Sequence, residues 1–134
     1  EGATECLGLL SGDVRLLPAS PGIRVPHMGW NRLEASPGSA HPLMAGLDQA
    51  SVYFVHSYAA SPSPDTIASA THGIPLSAVV ARGSVMRAQF HPGRSTDSGA
   101  RLPTNCSTRR STRDFGARWT GVSITAGSRS GPPC

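Results

Sequence analysis

The sequence has 134 residues and a formal net charge of +4, room for one domain at most when domains run roughly 100–200 residues. All 12 basic residues are arginine; residues 1–106 hold seven of them against seven acids, so the whole excess falls in residues 107–134. This excludes a domain-wide basic surface for nucleic acid. A content of 38% apolar and 15% charged residues excludes a wholly disordered chain, and no run approaches the ~18 apolar residues of a membrane span.

The opening Glu1-Gly2-Ala3-Thr4-Glu5 has neither the basic start nor the apolar stretch of a secretory signal. Cys6, Cys106 and Cys134 are odd in number and far apart, which offers no disulfide framework and no Cys-x-x-Cys zinc site. Reduced thiols in a cytoplasmic setting are expected. The five histidines (His27, His41, His56, His72, His91) never stand at the i, i+2 or i, i+4 spacing that puts two ligands on one face, so no metal or other cofactor is expected.

In chain order, residues 7–17 read as a strand pair or bent strand around the turn signal Ser11-Gly12-Asp13. Arg24 to Asn31 is extended, because Pro26 biases Val25 away from helix and restricts the segment to a sheet edge. Pro42 suits the first position of a short helical turn ending at Gly46. Ser51 to Tyr58 is the clearest strand, dense in β-branched and aromatic residues. Ser61 to Asp65 is a loop. Leu76–Ala81 and Val85–Phe90 flank Arg82-Gly83-Ser84 as a hairpin, which delivers His91 at a strand end. Ser95 suits the cap of a helix over Thr96–Leu102, which Pro103 should end. Residues 107–134 are dominated by Ser, Thr, Arg and Gly without sustained periodicity and read as a disordered tail.

Three segments offer chemistry. In Gln89-Phe90-His91-Pro92, a strand-end histidine can act as a general base near neutral pH. In Val25-Pro26-His27-Met28-Gly29-Trp30-Asn31, Met and Trp on an extended segment suit a protein contact surface. In Phe54-Val55-His56-Ser57-Tyr58, a strand running out into Ser and Tyr can present amides and hydroxyls to a polar ligand.

Together, and in this order, these segments resemble the glutamine amidotransferase subunit of imidazole glycerol phosphate synthase, a class I amidotransferase family. Leu7–Leu16, His41-Pro42-Leu43-Met44-Ala45-Gly46, His72-Gly73-Ile74-Pro75 and Val85–Ser95 extend the match over about residues 1–106. The resemblance implies an α/β fold: the C-terminal part of such a domain, a mixed sheet flanked by helices. It further implies hydrolysis of glutamine to glutamate and ammonia for a (β/α)8-barrel synthase partner in a heterodimer, without membrane or nucleic acid.

In that family a cysteine attacks the glutamine amide, a histidine activates it, and a glutamate orients the histidine, the nucleophile–base–orienter logic of covalent catalysis. By resemblance His91 is the base and His56, Ser57 and Tyr58 hold glutamine. Pro26, His27, Met28, Gly29, Trp30 and Asn31, with Arg94, face the partner. The chain departs from the pattern at two triad positions. Gly93 stands where the family has Glu. The elbow cysteine and the first parallel strands fall upstream of Glu1; Cys6 follows no buried strand and has Thr4 where the elbow needs Gly. A glutaminase subunit inactive on its own is therefore expected, or alternatively a non-catalytic fragment that binds the partner.

Overall fold

The computed structural model describes residues 6–108. Eight strands appear there: β1 (Val14–Leu16), β2 (His27–Arg32), β3 (Glu34–Ala35), β4 (Ser51–His56), β5 (Tyr58–Ala60), β6 (Thr66–His72), β7 (Ile74–Arg82) and β8 (Val85–Ala88). Two 3-10 turns, Pro42–Met44 and Pro92–Arg94, and one long helix, α1 (Thr96–Thr108), complete the described elements. The expected α/β character is observed. The ladders are β1–β5, β2–β4 and β3–β6–β7–β8. All are antiparallel, the antiparallel share of the mixed sheet the resemblance implies.

The strongest strand signals land where the pattern puts them. In β4, Val52, Phe54 and His56 are buried while Ser51, Tyr53 and Val55 are not, the period-2 alternation of a half-buried strand. Its antiparallel partner β2 alternates in register with it, with His27 buried opposite His56 and Met28, Trp30 and Arg32 exposed. The Val25–Pro26 peptide bond that leads into β2 is cis. The β7–β8 hairpin closes at Arg82↔Val85 around Gly83-Ser84, and Gly83 at φ 58° supplies the left-handed backbone the turn needs. Pro42 opens its 3-10 turn as expected.

Two expected elements are corrected, and one strand was not expected. Residues 7–17 do not form a strand pair: only Val14–Leu16 is a strand, and it pairs with β5. The Ser11 N–H bonds instead to the Asp65 carboxylate at 2.7 Å, which ties the turn to the β5–β6 loop. β6 carried no sequence signal of its own, yet it lies between β3 and β7; its Ala68 and Ala70 are fully buried. Finally, α1 does not stop at Pro103 but runs through it to Thr108.

The continuation of α1 has a tertiary cause. Leu102 and Cys106, four residues apart on one face, are both buried. Asn105 Nδ2 donates to the carbonyls of Leu43 and Ala45 at 2.9 and 3.0 Å, satisfying the 3-10 turn beneath. Together these contacts outweigh the roughly 3 kcal/mol a helical proline costs. Ser95 is also used differently from a simple cap. Its hydroxyl accepts from Tyr53 N–H at 3.0 Å and donates to the His91 carbonyl at 2.7 Å, clamping β4 to the His91 turn.

The core gathers Phe54, Phe90, Leu33, Leu43, Leu47 and Leu102, all essentially without exposure. It locks β4, the Pro42 turn, the segment after β8 and α1 into one unit and so holds His91 and the β2–β4 ladder in place. The disordered tail expected over residues 107–134 is corrected at its start, because residues 107 and 108 belong to α1; from residue 109 onward that expectation lies outside the described residues.

Candidate functional site

His91 lies three residues past β8. Phe90 beside it is buried and meets Phe54 edge-on, ring centroids 6.2 Å apart. This anchors the chain, and the His91 N–H donates to the Tyr53 carbonyl at 2.8 Å. The imidazole Nδ1 is buried with no hydrogen-bond partner. That is the atom a neighbouring carboxylate would engage, and the residue next to it in space is Gly93. A Cβ built on Gly93 would stand 3.4 Å from His91 Cε1 and 3.6 Å from Nδ1.

Ser57 and Tyr58 follow the far end of β4. From Tyr53, beside His91, to Ser57 is four residues, about 13 Å along an extended strand. The Ser57 carbonyl accepts from Leu17 N–H at 2.8 Å, and Tyr58 pairs with Leu16. Both residues are partly exposed. His56 is not open: it is buried, with Nδ1 3.0 Å from the Tyr58 carbonyl and Nε2 3.0 Å from His27 Nδ1.

The Pro26–Asn31 segment is split between two faces by the β2–β4 register. His27 opposes His56, Gly29 opposes Phe54 and Trp30 opposes Tyr53. The outward face carries Met28 and Trp30, 61% and 54% exposed. Trp30 meets the Tyr53 ring edge-on at 5.8 Å, and the Arg94 guanidinium lies 5.8 Å from the centre of the same ring, within cation–π range. The structure thus brings Arg94 and Trp30, 64 residues apart in sequence, into one patch through Tyr53. Tyr53 was not foreseen as a site residue. The signal that could have found it is the antiparallel register opposite Trp30.

The inward face of the same segment is a histidine cluster. His27 stacks on Phe54 at 4.6 Å and on His72 at 4.0 Å. His72, from β6, was likewise missed as a neighbour. Burial, with the nearby His72 and His56 adding repulsion, pushes the His27 pKa down from 6.5 to about 4. Burial lowers that of His56 too, against the opposing pull of the Tyr58 carbonyl. His27 Nδ1 and His56 Nε2 face one another, and His56 Nδ1 and His72 Nε2 each face a backbone carbonyl. Among the described residues no group of three or more His, Cys, Asp or Glu is disposed to hold a metal. Cys6 is exposed and Cys106 buried.

A cavity of about 260 Å³ opens between β1, β5 and the start of β7, lined by Leu16, Leu17, Ala59, Ile74 and Leu76 among others. None of the sequence-predicted site residues lines it. Among the described residues no helix is long and apolar enough to cross a membrane.

No family model matches the chain. Curated relatives do. The imidazole glycerol phosphate synthase subunit HisH of Xanthomonas oryzae pv. oryzae (strain MAFF 311018) is 55% identical over 106 residues, covering 78% of this chain and 52% of the relative. HisH of Xanthomonas axonopodis pv. citri (strain 306) is 53% identical and HisH of Xylella fastidiosa (strain Temecula1 / ATCC 700964) 50% identical over the same shares. The chain spans about half the length of the curated relatives it matches. With the α/β fold above, these identities bear out the resemblance read from the sequence: over 106 residues the chain is HisH-like.

Proposed function

We propose that this chain supplies the partner-docking and histidine-bearing part of a glutaminase subunit of imidazole glycerol phosphate synthase, a cytoplasmic enzyme of histidine biosynthesis, and does not turn over glutamine by itself. The observation that carries this reading is the outward patch of Met28, Trp30, Tyr53 and Arg94 on the β2–β4 ladder, built around the Pro26–Asn31 segment. An exposed Trp and Met with an arginine on an aromatic ring is the composition of an interface hot spot. The partner is a (β/α)8-barrel synthase subunit, joined as a heterodimer.

In the complete reaction water hydrolyses the glutamine side-chain amide to glutamate and ammonia, and the ammonia serves the synthase partner. His91 is the base that takes the proton of the attacking thiol, while His56, Ser57 and Tyr58 hold the amino-acid end of glutamine. Two parts of that constellation are wanting here. Gly93 offers no carboxylate to His91 Nδ1, and Cys6 lacks the setting of an elbow nucleophile. Residues that act as a unit fail together.

Co-expression with a barrel synthase subunit tests docking. A complex that survives purification, and is weakened at least tenfold by Trp30→Ala, is expected; absence of any complex defeats the reading. Ammonia release from glutamine by the purified chain should be undetectable. Release abolished by Cys6→Ala would overturn the assignment of the cysteine.

A further inference from the structure

We propose that His27, His56 and His72, with Asn31, form an acid-sensitive latch that holds the partner-facing strand β2 against β6. The three rings come from β2, β4 and β6. They join the β2–β4 ladder to the four-stranded sheet, two sheets that share no ladder among the described residues.

The hydrogen bonds fix the direction of every proton in the line. A carbonyl can only accept, so His56 Nδ1 carries a hydrogen and donates it to Tyr58 O. In a neutral ring His56 Nε2 is then an acceptor, and His27 Nδ1, 3.0 Å away, must donate to it. That leaves His27 Nε2 as an acceptor facing the Asn31 amide nitrogen at 3.4 Å. The Asn31 amide also donates to the Thr71 carbonyl on β6 at 2.8 Å, while its oxygen accepts from Arg32 N–H at 2.8 Å. His72 Nε2 donates to the Arg24 carbonyl at 2.8 Å. Each donor meets an acceptor only while His27 and His56 are both neutral.

An added proton has nowhere to go. On His27 it sits at Nε2 and faces the Asn31 N–H. On His56 it sits at Nε2 and faces His27 Nδ1–H; a tautomer shift in His27 only moves the conflict to Asn31. Turning the Asn31 amide over would satisfy His27 but withdraw the donor from Thr71 and set the amide nitrogen against Arg32 N–H. The strain therefore falls on the β2–β6 contact. Charge acts the same way, because the titratable groups facing His27 are His56 from β4 and His72 from β6, while Phe54 stacks on its ring and the Asn31 amide faces Nε2. Among the described residues none of the three histidines forms an ion pair with a carboxylate.

The sign follows from linkage. His27 is held neutral in the folded chain, so the unfolded chain binds more protons between pH 6.5 and about 4. Stability is complete above pH 6.5 and falls as the pH drops to about 4, where the fall ends. Asp65 is separable. The Ser11 N–H holds its carboxylate below its ordinary 3.8, so its contribution is lost only at more acidic pH.

Urea unfolding of the full 134-residue chain at pH 8, 6.5, 5 and 4.2 tests the latch, with hydrogen exchange read in parallel. The folding equilibrium constant is expected to fall by about 100-fold from His27 alone across that range. Exchange should rise first in peptides from β2 and β6 and later in β7–β8. Asn31→Asp sets an acceptor against a protonated His27 and should remove most of the pH dependence, even if its stability at pH 8 is lower. Constant stability from pH 8 to 4.2, uniform loosening of all strands, the unaltered pH dependence in Asn31→Asp, or no cooperative transition at pH 8 each overturns the proposal.

Discussion

A carboxylate at position 93 would stand against a ring atom that now has no partner. Gly93 lies beside the buried His91 Nδ1, and a side chain there meets the ring at ordinary contact distance. Satisfying a buried polar atom returns about 1 kcal/mol. Gly93→Glu is therefore expected to raise stability by about that amount in urea unfolding, while glutamine hydrolysis stays undetectable because no nucleophile is gained. A loss of stability would mean that the space beside His91 does not admit the carboxylate. Within the candidate site, the strand-end position of His91 beside Gly93 and the exposure of Met28 and Trp30 follow from short motifs. The histidine cluster does not. Spacings of 29 and 16 residues carry neither a helical nor a strand period, and only the register His27↔His56 and the fold of β6 bring the rings together.

At the scale of elements, the seam between α1 and the His91 turn has no slack. A methyl group at Gly99 would overlap the Pro92 carbonyl oxygen and come within 2.8 Å of Ser95 Cβ. Gly99→Ala is expected to cost about 3 kcal/mol through overpacking, despite the better helix propensity of alanine; a stabilised variant would refute the packing. Ser95→Ala strips the Tyr53 N–H and the His91 carbonyl of their shared partner and should cost about 2 kcal/mol in the same measurement. β4 was readable from its β-branched and aromatic residues, β2 from the extended bias of Pro26, and β7 and β8 from the turn at Gly83 between two apolar runs. β6 was not, because its Ala and Ser residues have little strand propensity and are chosen for close packing between neighbours. The end of α1 was misread for a related reason: Pro103 is a local signal, and the burial of Leu102 and Cys106 is not.

Across the whole molecule, the positive charge and the exposed apolar surface occupy different places. The formal excess of +4 lies beyond Thr108. A chain cut after Thr108 should pass through a cation exchanger at pH 7 that retains the full chain; retention of both would contradict the charge count. Near the other end, Leu7, Leu9, Val14 and Leu16 are all more than half exposed, and β1 has no buried residue. An unpaired strand edge with apolar side chains favours association. Leu16→Lys is expected to weaken self-association about tenfold, as removing a partly buried leucine contact should, with sedimentation velocity as the check. An unchanged distribution would place the association elsewhere.

The alternation of β2 also constrains how this segment can change over time. Met28 and Trp30 look outward and His27 and Asn31 look inward on one six-residue strand. Replacements on either face can accumulate independently, so docking preference and acid response are free to drift apart. Insertion or deletion of a single residue has no such freedom. It rotates every following side chain to the opposite face, burying tryptophan among histidines and turning asparagine outward. The length of the stretch between Pro26 and Arg32 should therefore be far less variable among functional relatives than its composition.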